Sequence, residues 1–188
     1  LFIGGIEFED LRPSREEILE MKTDGIFPFG QFPVLQVDGK TIAQTGAIAR
    51  FCGKLSGLYP TKDDFAAAKV DEVIDLATDI TTQMRPALRE ADPKVRIEMR
   101  RELSTTILPR WLGFLEKLLQ DNGNTGFLVG DSISVADLAV WRLCAWISGG
   151  IIDGIPINLL EGFPLLSVHQ SKISNLPKVK EWIKKNHK

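Results

Sequence analysis

Residues 31–48 read QFPVLQVDGKTIAQTGAI, a stretch that leaves the local chain few choices. Val34, Leu35 and Val37 make a short apolar run, Asp38 and Gly39 form a two-residue hairpin turn, and Thr41, Ile42 and Ala43 return as a second strand. Pro33 has no N–H to give a sheet ladder and is tolerated as the first residue of its strand. Thr45 falls at an N-cap position, and a helix follows from Ala47 through Cys52, ending at Gly57. A hairpin therefore feeds directly into a helix.

The residues before this hairpin are read in the same way. Leu1, Phe2 and Ile3 look like the end of an apolar helix stopped by Gly4 and Gly5. Ile6 and Phe8 alternate with Glu7 and Glu9, which predicts a short strand. Ser14 and Glu17 have capping-box spacing and start a short helix through Lys22, closed by Asp24 and Gly25. Phe27 to Gly30 is loop.

After Leu58, Tyr59, Pro60 and Thr61, a natural linker, the pattern becomes wholly helical. A helix is predicted from Phe65 to about Arg89, with Val70, Val73, Ile74, Ala77, Ile80 and Met84 at core-facing spacing. Asp92 and Pro93 open the next helix, which runs to Gln120 with a kink expected at Pro109 and is closed by Asn122 to Asn124. Ser134 and Asp137 form a second N-terminal box before an apolar helix from Leu138 to Ser148, stopped by Gly149 and Gly150. Two more helices follow, about 163–175 and 177–186. The domains implied are a small α/β unit over 1–60 and an all-α unit over 65–188.

Composition narrows the function. With 188 residues, 44% hydrophobic and 26% charged, the chain can bury a core. A net charge of −2 without a basic run disfavours nucleic acid and anionic membranes as partners. No apolar stretch has the length of a membrane span. Cys52 and Cys144 sit in apolar helical contexts, which suits reduced thiols and a cytoplasmic location. His169 and His187 are too few and too far apart for a typical metal site, so no metal is expected.

The strings FGQFPVLQVDGKTIAQTGAIARF, FLVGDSISVADLAVW and LPKVKEWIKKN, with the Leu58–Pro60 linker between the first two, resemble the cytosolic glutathione transferases, in particular the sigma class that includes haematopoietic prostaglandin D synthase. The resemblance covers nearly the whole chain in order. It implies a thioredoxin-like N-terminal domain, an all-helical C-terminal domain, a homodimer, and glutathione as co-substrate. In the family the bond before the matching proline is cis, so Phe32-Pro33 should be cis, with the Phe32 backbone pairing with the cysteinyl part of glutathione. Gln44 and Thr45 match the pair that holds the γ-glutamyl end; Gly30 and Gln31 match the loop beside the tripeptide, and Lys22 a lysine facing the glycyl carboxylate. Asp79 matches an aspartate that reaches the glutathione of the partner subunit, while Asp71 and Asp75 read as a solvated face. Phe29 matches an aromatic key that enters the neighbouring subunit in some classes; the alternative is a loop aromatic covering its own domain. Met84, Arg85 and Leu88 are candidate walls for a small hydrophobic electrophile, with Trp146 and Ile147 beside them.

Two departures stand out. Ile18 occupies the position where sigma enzymes carry a glutathione-contacting Trp. The family's catalytic Tyr, Ser or Cys lies at the end of a first strand to which nothing here corresponds, and Tyr59 belongs to the linker. The resemblance implies that this strand runs between the Ile6–Phe8 and Val34–Val37 strands, within roughly twenty further residues of the gene product. No catalytic residue is assigned in the chain itself. The function expected is conjugation of the glutathione thiol to electrophiles; the alternative is a non-catalytic binding or interaction protein of the same fold.

Overall fold

The computed structural model describes residues 1–186, so His187 lies outside the described residues. The chain divides into two compact units, Leu1–Tyr59 and Pro60–Lys188.

In the first unit, a single 3-10 turn, Phe2–Gly4, takes the place of the expected helix end. A Cβ on Gly4 would overlap the Ser56 side chain, so this turn approaches the end of the helix that follows the hairpin more closely than any residue but glycine permits. Residues 6–13 form no regular element, which corrects the strand expected at Ile6 and Phe8. Both side chains are at least a third exposed, and alternation defines a strand only where a neighbouring ladder takes up its N–H and C=O groups. Helix α1, Arg15–Thr23, starts on the expected box: the Ser14 N–H donates to Glu17 at 2.6 Å, and the Glu17 N–H donates to the Ser14 hydroxyl. These bonds hold the Glu17 carboxyl below its ordinary pKa range.

Strands β1, Val34–Val37, and β2, Lys40–Ala43, pair antiparallel with Val34 opposite Ala43 and Val37 opposite Lys40. Asp38 and Gly39 both have positive φ, 49° and 73°, the geometry a tight hairpin turn of this hand requires. Pro33 lies just outside β1, so its missing N–H costs the ladder nothing. Helix α2, Thr45–Leu55, follows with Gln44 as N-cap, so Thr45 is the first helical residue and not the cap expected. Only Phe27 and Gly53 are fully buried among the described residues of this unit.

The second unit holds the larger core. Helix α3, Asp64–Arg89, is capped by Asp63 and buries Val70, Val73, Ile74, Ala77, Ile80, Met84 and Ala87 along one stripe. Pro86 lies inside this helix on its exposed side, as does Thr82, whose carbonyl loses its helical N–H donor to the proline. Helix α4, Pro93–Glu102, passes through a π turn, Leu103–Ile107, into α5, Leu108–Asp121. Pro109 has no N–H to return to Thr105, and the chain widens just before it, with the Leu108 N–H donating to the Leu103 carbonyl. The interruption expected at Pro109 is therefore spread over the preceding five residues.

Helix α6, Val135–Ser148, packs on α3, and α7, Pro164–Ser174, packs on α5 and α6; α8, Pro177–Asn186, follows on α7. Two carboxylates fix this arrangement. The fully buried Asp137 accepts from the N–H groups of Leu128 (2.8 Å) and Ser134 (2.7 Å), from the Ser134 hydroxyl (2.9 Å) and from His169 Nε2 (3.0 Å). Helix α7 begins after Phe163, which has no capping side chain. Glu116 of α5 supplies the cap, accepting from Leu165 and Leu166 at 2.9 and 2.7 Å. No helix among the described residues is long and apolar enough to cross a membrane.

These roles differ in cost. Asp137→Ala strands several buried donors and should lower stability by about 3 kcal/mol or more, whereas Glu116→Ala removes one helix cap and should cost about 1–2 kcal/mol. Urea unfolding followed by tryptophan fluorescence reads both, and equal costs would contradict the assignment.

Candidate functional site

The hairpin register builds the site. Because Val34 pairs with Ala43, the residues just before β1 and just after β2 lie at the same open end of the hairpin, within a few ångströms along the ladder direction. Phe32-Pro33 and Gln44-Thr45 are thereby brought together from twelve positions apart in the chain. The Phe32-Pro33 bond is cis.

At this end α2 presents its N-terminus. Gln44 adopts φ 72°, ψ 121°, and its side chain makes no capping bond. The N–H groups of the first turn thus lack the side-chain acceptor that α1, α3 and α4 receive from Ser14, Asp63 and Asp92. Free donors and the positive end of the helix dipole suit a carboxylate, and the exposed Thr45 hydroxyl stands beside them.

Phe32 is 61% exposed, its ring tilted at 6.3 Å from that of Phe27, the buried aromatic of this unit. The Gly30 N–H donates to the Phe27 carbonyl at 2.9 Å, closing the turn that carries Gly30 and Gln31 up to Phe32. Gly30 has φ 62°, so a side chain there would be strained. Lys22 is exposed in the last turn of α1. Tyr59 lies under the Lys54 ammonium, 5.1 Å from its ring centre, as a linker aromatic would.

In the second unit Asp79 is exposed on α3, and so is Arg85; Leu88 is half-buried. Met84 and Ile147 are 0% and 1% exposed, packed in the helical core. Their positions follow from helix periodicity, since Met84 continues the Val70, Val73, Ile80 stripe. Trp146 is half-buried, and Phe29 is 63% exposed in the first unit. A cleft of about 310 Å³ lined by Asp63, Phe65, Lys69, Leu118 and Leu128 includes none of the residues singled out from the sequence.

Neither cysteine is a ready nucleophile. Burial raises the Cys52 pKa above the ordinary thiol value, and it pushes Cys144 up to about 12. Both are thiols at neutral pH, whereas nucleophilic chemistry needs the thiolate.

Comparison with known proteins agrees with the fold. Residues 78–186 match the family described as Glutathione S-transferase, C-terminal domain, and residues 3–53 match Glutathione S-transferase, N-terminal domain. The chain belongs to the glutathione S-transferase family. Probable glutathione S-transferase 5 of Caenorhabditis elegans is 34% identical over 186 residues, covering 96% of this chain and 84% of the relative. Among solved structures, the prostaglandin synthase D of Nilaparvata lugens superposes with TM-score 0.86 at 26% identity, over 98% of this chain and 88% of that one. A monomeric glutathione S-transferase of the hookworm Necator americanus gives TM-score 0.80 at 32% identity, over 98% and 87%. The first unit of this transferase is thus the thioredoxin-like domain, with its two-stranded sheet, and the second is the helical domain. Its function, as for the family, is transfer of glutathione to electrophiles, with glutathione as the co-substrate.

If glutathione supplies the reacting sulfur, the protein's own thiols are dispensable. Cys52→Ser and Cys144→Ala should retain the wild-type rate of conjugation, and both wild-type cysteines should react with iodoacetamide at neutral pH more slowly than a free thiol. Loss of conjugation in either variant would place a protein thiol in the chemistry.

Proposed function

We propose that glutathione binds as a short extended strand across the open end of the β1–β2 hairpin. The observation that carries this reading is the register, which sets Phe32-Pro33 beside the uncapped start of α2 at Gln44-Thr45. The Phe32 backbone pairs with the cysteinyl residue, and Gln44 with Thr45 holds the γ-glutamyl carboxylate against the helix N-terminus. Gly30 and Gln31 border the tripeptide, and Lys22 faces its glycyl carboxylate.

The assembly proposed is a homodimer of sigma-class type. Asp79, exposed on α3, meets the glutathione ammonium of the partner subunit, a charge-assisted contact. The similarity to an insect prostaglandin synthase D supports the class. Two free cysteines, Cys52 and Cys144, support a cytoplasmic location, and membership of the transferase family supports a role in detoxification.

The bound thiol loses its proton to solvent and attacks an apolar electrophile; a C–S bond forms as the leaving group departs. A hydroxyl that donates to the sulfur favours the thiolate. The electrophile lies against the exposed Arg85 and half-buried Leu88 of α3.

Thr45→Val keeps the shape and removes the hydroxyl, so glutathione affinity should fall by about 1–3 kcal/mol, the scale of a hydrogen bond to a charged group; Thr45→Ser should retain it. Calorimetry giving Thr45→Val the wild-type affinity would sink the assignment. For Asp79→Asn, a mixed dimer should lose binding at the site of the other subunit. If the loss instead falls on the variant subunit's own site, the cross-subunit role is wrong.

A further inference from the structure

Asn122 closes α5 and is followed by Gly123, the single Asn-Gly pair in the sequence. Such a pair is open to attack by its own backbone, because glycine carries no side chain to shield the asparagine Cγ from the next backbone nitrogen. The same Asn122 side chain clamps the loop that follows. Its Nδ2 donates to Thr125 Oγ1 (2.9 Å) and to the carbonyls of Phe127 (2.9 Å) and Gly130 (2.7 Å), and its Oδ1 accepts from the Gly130 N–H at 3.1 Å. Lys172 of α7 holds this loop from a second side, donating to the Thr125 carbonyl at 3.0 Å with its ammonium 3.5 Å from the Phe127 ring centre. Between these tethers, Leu128 sends its N–H to the buried Asp137.

The closed loop withholds the reaction. With ψ 21° at Asn122, the Gly123 nitrogen stands on the side of the Asn122 Cα away from its Cβ, so it does not face Cγ. The Gly123 N–H is also engaged, donating to the Gln120 carbonyl at 3.0 Å. Attack therefore needs the loop to open and the Asn122 backbone to turn, a local event of the kind that leaves the core intact.

We propose that Asn122-Gly123 is a deamidation site, latent while the 122–130 loop is closed and released by its opening, whose product keeps the loop from closing again. The Gly123 nitrogen loses its proton to solvent and bonds to Asn122 Cγ; the Cγ–Nδ2 bond breaks, and ammonia leaves with a proton from water. Water then opens the five-membered imide, at the Cγ carbonyl to give aspartate or at the main-chain carbonyl to give isoaspartate. Ammonia is exchanged for water, and nothing is oxidised or reduced. The new carboxylate has no hydrogen to offer the Phe127 and Gly130 carbonyls, so acceptor faces acceptor where the amide had supplied donors. The isoaspartate form also lengthens the backbone by one atom at the clamp.

The test ages the full chain in mildly alkaline buffer, folded and in guanidinium, and locates the amide-to-carboxylate mass change by peptide mapping. In the unfolded chain Asn122 should react before the other asparagines, and in the folded chain about tenfold or more slowly. Lys172→Ala, which removes the outer tether, should raise the folded rate several-fold and leave the unfolded rate unchanged. Asn122→Asp should show faster amide exchange at Leu128 and Gly130 and a lower urea midpoint than wild type. If that variant does not accumulate, aged wild-type protein, separated by its added negative charge, supplies the same exchange measurement. Another asparagine reacting first in the unfolded chain overturns the site. Equal rates folded and unfolded, or an unchanged folded rate in Lys172→Ala, overturn the loop's control of it. Wild-type exchange at Leu128 and Gly130 in the carboxylate form overturns the block to closure.

Discussion

The helical unit depends on one carboxylate with no access to water. Asp137 takes donors from the loop before α6, from the first residue of its own N-terminal box and from His169 of α7. An ionised carboxylate is tolerated at zero exposure only when donors replace its hydration. Its four bonds thus require the 128–134 segment, α6 and α7 to be in place together. The apolar stripes of α3, α5 and α6 then close around a fixed frame, and α3 becomes a rigid mount for whatever its outer face carries.

The first unit is organised on the opposite principle. With only Phe27 and Gly53 fully buried among its described residues, it has little apolar packing to spare, and its polar backbone ends are left open at one end of the hairpin. Where α1, α3 and α4 satisfy their N-termini with Ser14, Asp63 and Asp92, α2 leaves its first turn without a side-chain acceptor. Unmet donors at an exposed helix start cost little in water and become binding energy when an anion arrives. The part of the fold with the thinnest core is also the part proposed to hold the tripeptide.

The hairpin, the box at Ser14 and the α3 stripe were legible because each is written within a few consecutive residues. What lay beyond local sequence was every tertiary polar contact. Glu116 caps a helix that starts 48 residues later, and His169 reaches Asp137 across 32 positions, spacings that no periodicity encodes. The strand expected at Ile6 and Phe8 failed because alternation describes which side chains could share a face, while a strand also needs a ladder beside it. Met84 was legible in another way: its spacing already placed it with Val70 and Ile80 in the core, where the structure holds it.

The position of bound glutathione tests the central claim most directly. A crystal structure of the complex should show the γ-glutamyl carboxylate within hydrogen-bond reach, about 2.7–3.2 Å, of the Thr45 N–H or hydroxyl, with the cysteinyl backbone alongside Phe32. Glutathione found away from the open end of the β1–β2 hairpin, with the start of α2 unoccupied, would contradict the account.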